Sequence, residues 1–528
     1  MSNKQLSSGG RLTKHLRVSG WLFLFFCFSM TACTSAKIQT QQPGYTLKPT
    51  DKTVLARHYQ QQIKAHPGKS GFALLGSGLD AFAARTTLFQ LAEKSIDVQY
   101  YIVRDDLTGH LFFQALKAAA DRGVRVRVLL DDLSQYKQTA TLAVLAKHPN
   151  IRIRLFNPLK RDTPRLLQFL FRFERFNRRM HNKSVIIDNQ ATILGSRNIG
   201  NEYAEIASGS IYSGMEVLAV GPLVKHVSAA FDQYWNYQRS VGVQHLAKPG
   251  KFDFQRTREK LNHNTLTKRF ATILKTSPLI QQLKTGTLPL HWANAALIAD
   301  PPDKIEKPAR PNGEFLKNTD LKPYFNNTRQ KLLFITPYLV PGQEGLQFFR
   351  QLRERGIEVS ILTNSYTATD VRLVNSHYKN YRKPLLEMGV KLFEFKSVRA
   401  SVSLLQRTRN IIALADRGGK AGLHAKIINF DQSHLYIGSM NIDPRSIYAN
   451  TELGVMISSP DMSTQVLRWF DQNLDQLAYH LSLHNGQVIW RDFSKQGRGR
   501  TYRREPDTNP LDRIFMHLMG LLPVEQHL

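Results

Sequence analysis

The sequence predicts an α/β protein built of two similar lobes, each a mixed sheet flanked by helices, related by a pseudo-twofold axis. Two observations predict this. The order strand, helix, strand occurs twice along the chain, and each occurrence leads to a segment with His, Lys, Asp, Gly, Ser and Asn at one fixed spacing. The segments are HNKSVIIDNQATILGSRN, His181 to Asn198, and HAKIINFDQSHLYIGSMN, His424 to Asn441. Two sheets with helical crossovers account for both repeats.

In the first half, KSIDVQYYIVRDD reads as a strand. TGHLFFQALKAAADRG follows with apolar residues at helical spacing and a closing Gly123, and VRVRVLLDD resumes as an alternating strand. In the second half KLLFITPYLVPG, QEGLQFFRQLRERG ending at Gly356, and IEVSILTN take the same places. The expected divisions are a leader over 1–32, a tether and first helix over 33–68, lobe 1 over 69–244, a basic, proline-containing connecting insertion over 245–325, lobe 2 over 326–480, and a basic and amphipathic extension over 481–528. The last helical stretch, LDRIFMHLMGLLPVEQHL, has an apolar face that is expected to dock on its own domain, with lipid contact as the alternative.

Hydrophobic residues make up 42% and charged residues 21% of the 528, which excludes a disordered chain. Lysine and arginine outnumber aspartate and glutamate by 72 to 41, and the formal charge of +31 favours polyanions, whether nucleic acid or an anionic membrane. The N-terminus narrows that choice. Lys4, Arg11, Lys14 and Arg17 precede the apolar run Trp21 to Met30, which is short for a bilayer span and suited to an export signal. Thr31-Ala32-Cys33 then resembles a bacterial lipoprotein signal, which implies cleavage before a lipidated Cys33 and anchoring in the cell envelope, at either the inner or the outer membrane. The other cysteine is Cys27, so the mature chain would carry no internal disulfide.

In extended chain, alternate side chains share a face, so His181 projects with Lys183 and His424 with Lys426, as Ser196 does with Asn198 and Ser439 with Asn441. A neutral imidazole can attack phosphorus, while an ammonium, hydroxyls and amides hold phosphate oxygens as charge shifts in the transition state. One copy supplies half of a phosphate site. Displacement at phosphorus puts the entering and leaving groups on opposite sides, and two copies about a twofold axis supply a histidine for each. A histidine so used needs an acceptor on its other nitrogen, and Glu216 and Glu452, each in a strand downstream of a histidine, are the candidates. Asp188 and Asp431 have the wrong strand parity to join the lysines and are expected to pair with a cation or cap a turn. Neither segment clusters His, Cys and carboxylates at metal-ligand spacing.

The pattern H-x-K-(x)4-D-(x)6-G-S-x-N, present twice, resembles the phospholipase D superfamily over roughly residues 90 to 525. ADRGVRVRVLLDD, RRMHNKS, NYRKPLLEMGVKLFE, GLHAKIINFD and SMNIDPRS are similar to bacterial cardiolipin synthases of the C type. The resemblance implies a phosphatidyltransferase that needs neither metal nor cofactor. It would move a phosphatidyl group from phosphatidylethanolamine or phosphatidylglycerol, through a phosphohistidine, to phosphatidylglycerol. It places His181, Lys183 and Asp188 with His424, Lys426 and Asp431 in the catalytic motif, and makes His181 the nucleophile and His424 the acid and base. Hydrolysis to phosphatidic acid, cleavage of nucleic acid and a silent membrane-bound binding role are the competing readings, nucleic acid being disfavoured by the leader. PRLLQFLFRFERFNRRM, just before His181, either lies in a membrane interface with Arg165, Arg172, Arg175, Arg178 and Arg179 at headgroups, or packs its aromatic stripe inside the lobe.

Overall fold

The computed structural model describes residues 42–206, 211–307, 320–397, 420–494 and 499–528. The leader, with Cys27 and Cys33, lies outside the described residues. Lobe 1 contains strands β1 (Ser70–Leu75), β2 (Ser95–Tyr100), β3 (Arg125–Asp131), β4 (Ile151–Phe156), β5 (Ser184–Ile187), β6 (Ala191–Gly195), β7 (Ile211–Ser213), β8 (Glu216–Val220) and β9 (Ser240–Gly242). Then come β10 (His291–Ala299) and the strands of lobe 2: β11 (Lys331–Ile335), β12 (Glu358–Asn364), β13 (Lys391–Phe395), β14 (Ala421–Leu423), β15 (Ile427–Phe430), β16 (His434–Gly438), β17 (Leu453–Ser458), β18 (Ala478–His484), β19 (Gln487–Asp492) and β20 (Arg500–Tyr502).

The two sheets repeat strand for strand. Lobe 1 runs β1-β8-β6-β5-β2-β3-β4-β9 and lobe 2 runs β10-β17-β16-β15-β11-β12-β13-β18, with β2-β3-β4 and β11-β12-β13 parallel and the other pairs antiparallel. β10 is therefore the counterpart of β1, and the two pair antiparallel, Ser70 against Ala293 and Phe72 against His291, which joins both lobes into one 18-stranded sheet. The stretch expected to be a connecting insertion thus supplies the first strand of lobe 2. Its sequence, HWANAALIA, has no clean polar alternation because most of its residues are only partly covered.

The parallel centre of each sheet is buried on both faces, which is why β3 keeps Val126, Val128 and Leu130 in one layer while Arg127 is bound bidentately by its registered neighbour Asp97 at 2.6 and 2.7 Å. The helix Leu107–Asp121 is capped by Asp106 and stops at Gly123, φ +94°. Its counterpart Gly342–Glu354 stops at Gly356, φ +79°, so both helix-ending glycines fill a left-handed position. Separate outer cores lie under these helices, around Phe89, Phe112 and Ile96 in lobe 1 and Phe334, Phe349 and Tyr378 in lobe 2. A third core mixes the two lobes, packing Phe72, Met180 and Trp235 with Ile335, Leu453 and Phe470. The C-terminal extension continues the lobe 2 sheet through β18-β19-β20 and then docks the helix Pro510–Met519 on the helix Arg372–Glu387.

Asp188 and Asp431 occupy equivalent hairpin turns, β5-β6 and β15-β16, with φ of +51° and +49°. The carboxylate of Asp188 accepts the backbone N–H groups of Glu93, Lys94 and Ser95, and that of Asp431 those of Arg329, Gln330 and Lys331. Each aspartate thereby fastens a hairpin to the entrance of the neighbouring parallel strand, at the end of the hairpin remote from the lysine. Asp188 is fully buried and Asp431 half-buried. Asp188→Ala should therefore cost about 1–3 kcal/mol of stability, measured by chemical denaturation, and Asp431→Ala less, while the folded fraction of each keeps its turnover.

Candidate active site

β5 begins immediately after Lys183 and β6 ends immediately before Ser196. β15 and β16 bear the same relation to Lys426 and Ser439. The open end of each hairpin thus carries His-x-Lys on one strand and Ser-x-Asn on the other. Gly195 permits the crossing, since at φ +152° a Cβ there would stand 2.6 Å from the carbonyl of Met215. At Gly438 a Cβ would meet the Cα of Gly454 at 2.7 Å.

Backbone exchanged between the lobes places both histidines. His181 N–H donates to the carbonyl of Thr451 at 2.9 Å, next to a bridge between Met180 and Thr451, and His424 N–H donates to the carbonyl of Ser213 at 2.7 Å, where β14 pairs in parallel with β7. A second pair of anchors comes from the ends of β3 and β12. Asp131 accepts from Met180 N–H at 2.9 Å, and Asn364 Oδ1 accepts from Leu423 N–H at 2.8 Å, so the residue before each histidine is clamped alike. Burial raises the Asp131 carboxyl to about 6 against the opposing pull of Arg179. Sequence reasoning missed these two residues, whose one signal is their shared place at the end of the second parallel strand in each repeat.

Each lysine folds back on its own histidine, Lys183 Nζ donating to the His181 carbonyl at 2.6 Å and Lys426 Nζ to that of His424 at 2.8 Å. Burial, then Lys183 and Lys426, hold the His181 imidazole well below its usual range; burial, then Lys426 and Lys183, do the same to His424, with a further contribution from His181. The four groups therefore form one electrostatic cluster, with both rings neutral. Burial also lowers the ammoniums, Lys183 well below the ordinary lysine range and Lys426 to about 7, although Glu452 favours the charged form of each.

Beyond this cluster the lobes differ. Glu452, on the lobe 2 side, accepts from Nδ1 of His181 at 2.8 and 3.1 Å, so the orienting carboxylate reaches across to the other lobe's histidine rather than to the one preceding it in sequence. Glu216, the other expected orienting group, is engaged by Arg85 and lies 3.7 Å from Arg197; no hydrogen bond joins it to His424 among the described residues. The His424 Nδ1 instead faces Lys426 Nζ at 3.2 Å. With Arg85 against the carboxylate, Glu216 has in the guanidinium a stronger partner than a neutral imidazole.

The two serines stand behind the cluster rather than at its surface. Ser196 Oγ donates to the Met215 carbonyl at 3.1 Å and accepts from Met215 N–H at 2.9 Å, while Ser439 Oγ donates to Glu452 and accepts from Leu453 N–H at 2.9 Å. The hydroxyls expected to bind phosphate are thus engaged by Met215, Glu452 and Leu453. The asparagines differ from them: Asn198 and Asn441 are buried, and the Oδ1 of each has no hydrogen-bond partner, an unmet capacity that a bound ligand would satisfy. Aromatic rings close the sides, Tyr101 edge-on to His181 with centroids 5.2 Å apart and Tyr203 edge-on to His424 at 5.1 Å.

The repeat is also found by comparison with known proteins. The family described as "Cardiolipin synthase, PLD-like domain" matches residues 86–235 and again 321–474, one match per hairpin. This chain belongs to that family. Cardiolipin synthase C of Escherichia coli (strain K12) is 38% identical over 469 residues, covering 87% of this chain and 96% of that protein. Cardiolipin synthase of Geobacillus thermodenitrificans is 25% identical over 419 residues, covering 78% of this chain and 68% of that protein. In fold, the chain is similar to the crystal structure of phosphatidylserine synthase from Haemophilus influenzae Rd KW20, with a TM-score of 0.52 at 12% identity over 89% of this chain and all of that one. The family assignment makes the chain an enzyme of phospholipase D type, and the family's double match coincides with the strand-for-strand repeat of the two lobes.

Proposed function

We propose that this chain is a cardiolipin synthase-like phosphatidyltransferase that passes a phosphatidyl group from a donor phospholipid to phosphatidylglycerol through a covalent intermediate on His181. The observation that carries the reading is the unequal setting of the two imidazoles. With Nδ1–H given to Glu452, neutral His181 keeps its lone pair on Nε2 and is ready to attack phosphorus. With Nδ1 turned to the Lys426 ammonium, His424 carries its hydrogen on Nε2 and is suited to proton transfer.

In the first step Nε2 of His181 bonds to phosphorus and the bond from phosphorus to the donor's headgroup oxygen breaks. His424 gives that oxygen a proton. As Nε2–H is given up, Nδ1 takes a proton from the Lys426 ammonium it faces, so the ring stays neutral and Lys426 is recharged when the second step returns a proton to Nε2. In the second step a hydroxyl of the acceptor glycerol gives its proton to His424 and attacks phosphorus, releasing His181 and forming the second phosphodiester of cardiolipin. Lys183, Lys426, Asn198 and Asn441 hold the non-bridging oxygens throughout. Among the described residues no helix is long and apolar enough to cross a membrane.

Purified protein given vesicles of labelled phosphatidylglycerol, with and without phosphatidylethanolamine and with a chelator present, should form cardiolipin; phosphatidic acid alone would make water the acceptor, and nicked plasmid in a parallel reaction would make the enzyme a nuclease. The pH profile tests the charge arrangement. Lys426 titrates near 7 in the free enzyme and loses its charge as the pH rises, so kcat/KM should fall about tenfold per unit above pH 7. Bound phosphate favours the ammonium, so the corresponding limb of kcat should lie at higher pH. A kcat/KM that stays flat from pH 7 to 9 contradicts this.

A further inference from the structure

The helices Arg165–Phe171 and Pro510–Met519 each turn an apolar face outward. In the first, Leu166, Leu170 and Phe171 are 67, 60 and 81% exposed and only Gln168 is buried; Phe169 packs on Phe173 and Phe176 of the following turn rather than into the lobe. In the second, Leu511 and Leu518 are exposed, Met516 alone is buried, and Leu521 beyond it is 69% exposed. Most of the exposed large apolar side chains among the described residues belong to these two elements, and isolated surface leucines do not explain such a concentration.

The elements lie far apart in sequence but are tied together by the C-terminal tail. His527 stacks edge-on against Phe173 at 4.8 Å, and its carbonyl accepts from Asn177 Nδ2 at 3.1 Å. The tail also bonds to the segment that follows Asn441: the Leu528 carbonyl accepts from Arg445 N–H at 2.8 Å, and Arg445 is among the charges that lower His181. On the other side, the short helix Phe173–Asn177 and then Arg178, Arg179 and Met180 lead from the first helix to His181. Of the arginines expected at headgroups, Arg178 and Arg179 are buried and bind backbone carbonyls, and Arg165 and Arg175 are half-buried; Arg172 remains exposed beside Phe171, and Arg503 and Arg504 are exposed shortly before the second helix.

We infer that these two helices and the connecting tail form a single docking face for an anionic phospholipid bilayer, beside the catalytic cluster. Helices of seven and ten residues cannot span a membrane; with apolar side chains outward and guanidinium groups at their margins they suit insertion in the plane of the interface, where a diacyl substrate has the shortest path to His181. The inference rests on the substrate being a bilayer lipid, as proposed above, and goes further in saying which face meets it.

The test compares full-length protein with Leu170→Glu/Phe171→Glu and with Leu518→Glu/Leu521→Glu. Each is assayed on phosphatidylcholine vesicles containing phosphatidylglycerol, and on short-chain phosphatidylglycerol kept below its micelle concentration. Both variants should lose about tenfold or more of the vesicle rate at limiting lipid, and keep the short-chain rate, which also verifies their folding. Wild-type rates on vesicles would overturn the inference. So would loss of the short-chain rate, which would make the face part of the site's structure, or an unchanged vesicle rate with an altered oligomeric state, which would make it an interface between copies. Wild-type protein that forms cardiolipin from neither substrate removes the functional reading itself, and the docking face with it.

Discussion

Replacing His181 with asparagine should lower turnover by more than about 10⁴-fold while leaving the fold and lipid binding intact, because in the proposed mechanism it deletes the atom that bonds to phosphorus. Asparagine keeps an amide hydrogen for Glu452, so the buried carboxylate is not left unpaired, and the loss reads chemistry rather than collapse. The residual rate should not recover with a better leaving group, since no nucleophile remains. Stopped assays on a natural diacyl donor and on a phosphodiester with a nitrophenol leaving group should therefore be equally depressed.

His424→Gln should behave differently. Loss of the proton donor should cost about 10²–10⁴-fold on a natural donor, whose headgroup alcohol must be protonated as it departs, and much less in the release of nitrophenolate, which leaves unaided. Transfer to an acceptor would remain slow with either donor, because His424 also takes the acceptor's proton. The pair of variants thus separates roles that the duplicated motif alone leaves equivalent. If rescue by nitrophenol appeared in the His181 variant and not in the His424 variant, the two roles would be exchanged.

Much of this site is legible in the sequence because its parts recur at fixed spacing on one hairpin. The strand, helix and strand of each repeat fall where periodicity and the closing glycines put them, and the hairpin explains why Asp188 and Asp431 belong to the turn while His181, Lys183, His424 and Lys426 belong to the open end. What spacing within one copy could not show is the exchange between copies. Glu452 bonds to His181 and not to His424 because the histidine-bearing segments pair with the opposite lobe, at Thr451 and Ser213, a non-local arrangement that no local pattern encodes. Strand parity places Ser196 and Ser439 on the chain but does not show the partners of their hydroxyls, which are Met215 and Glu452. β10 escaped notice because its alanine-rich, partly covered strand gives little alternation to read.

The central claim is that one phosphorus atom is bonded in turn by His181 and by an acceptor oxygen. A single turnover with a labelled phosphatidyl donor, quenched in alkali where phosphohistidine survives, should leave the phosphatidyl mass on the peptide containing His181. Adding phosphatidylglycerol before the quench should discharge it at the rate at which cardiolipin appears. Turnover without any adduct, or an adduct on His424 that acceptor lipid discharges, would contradict the account.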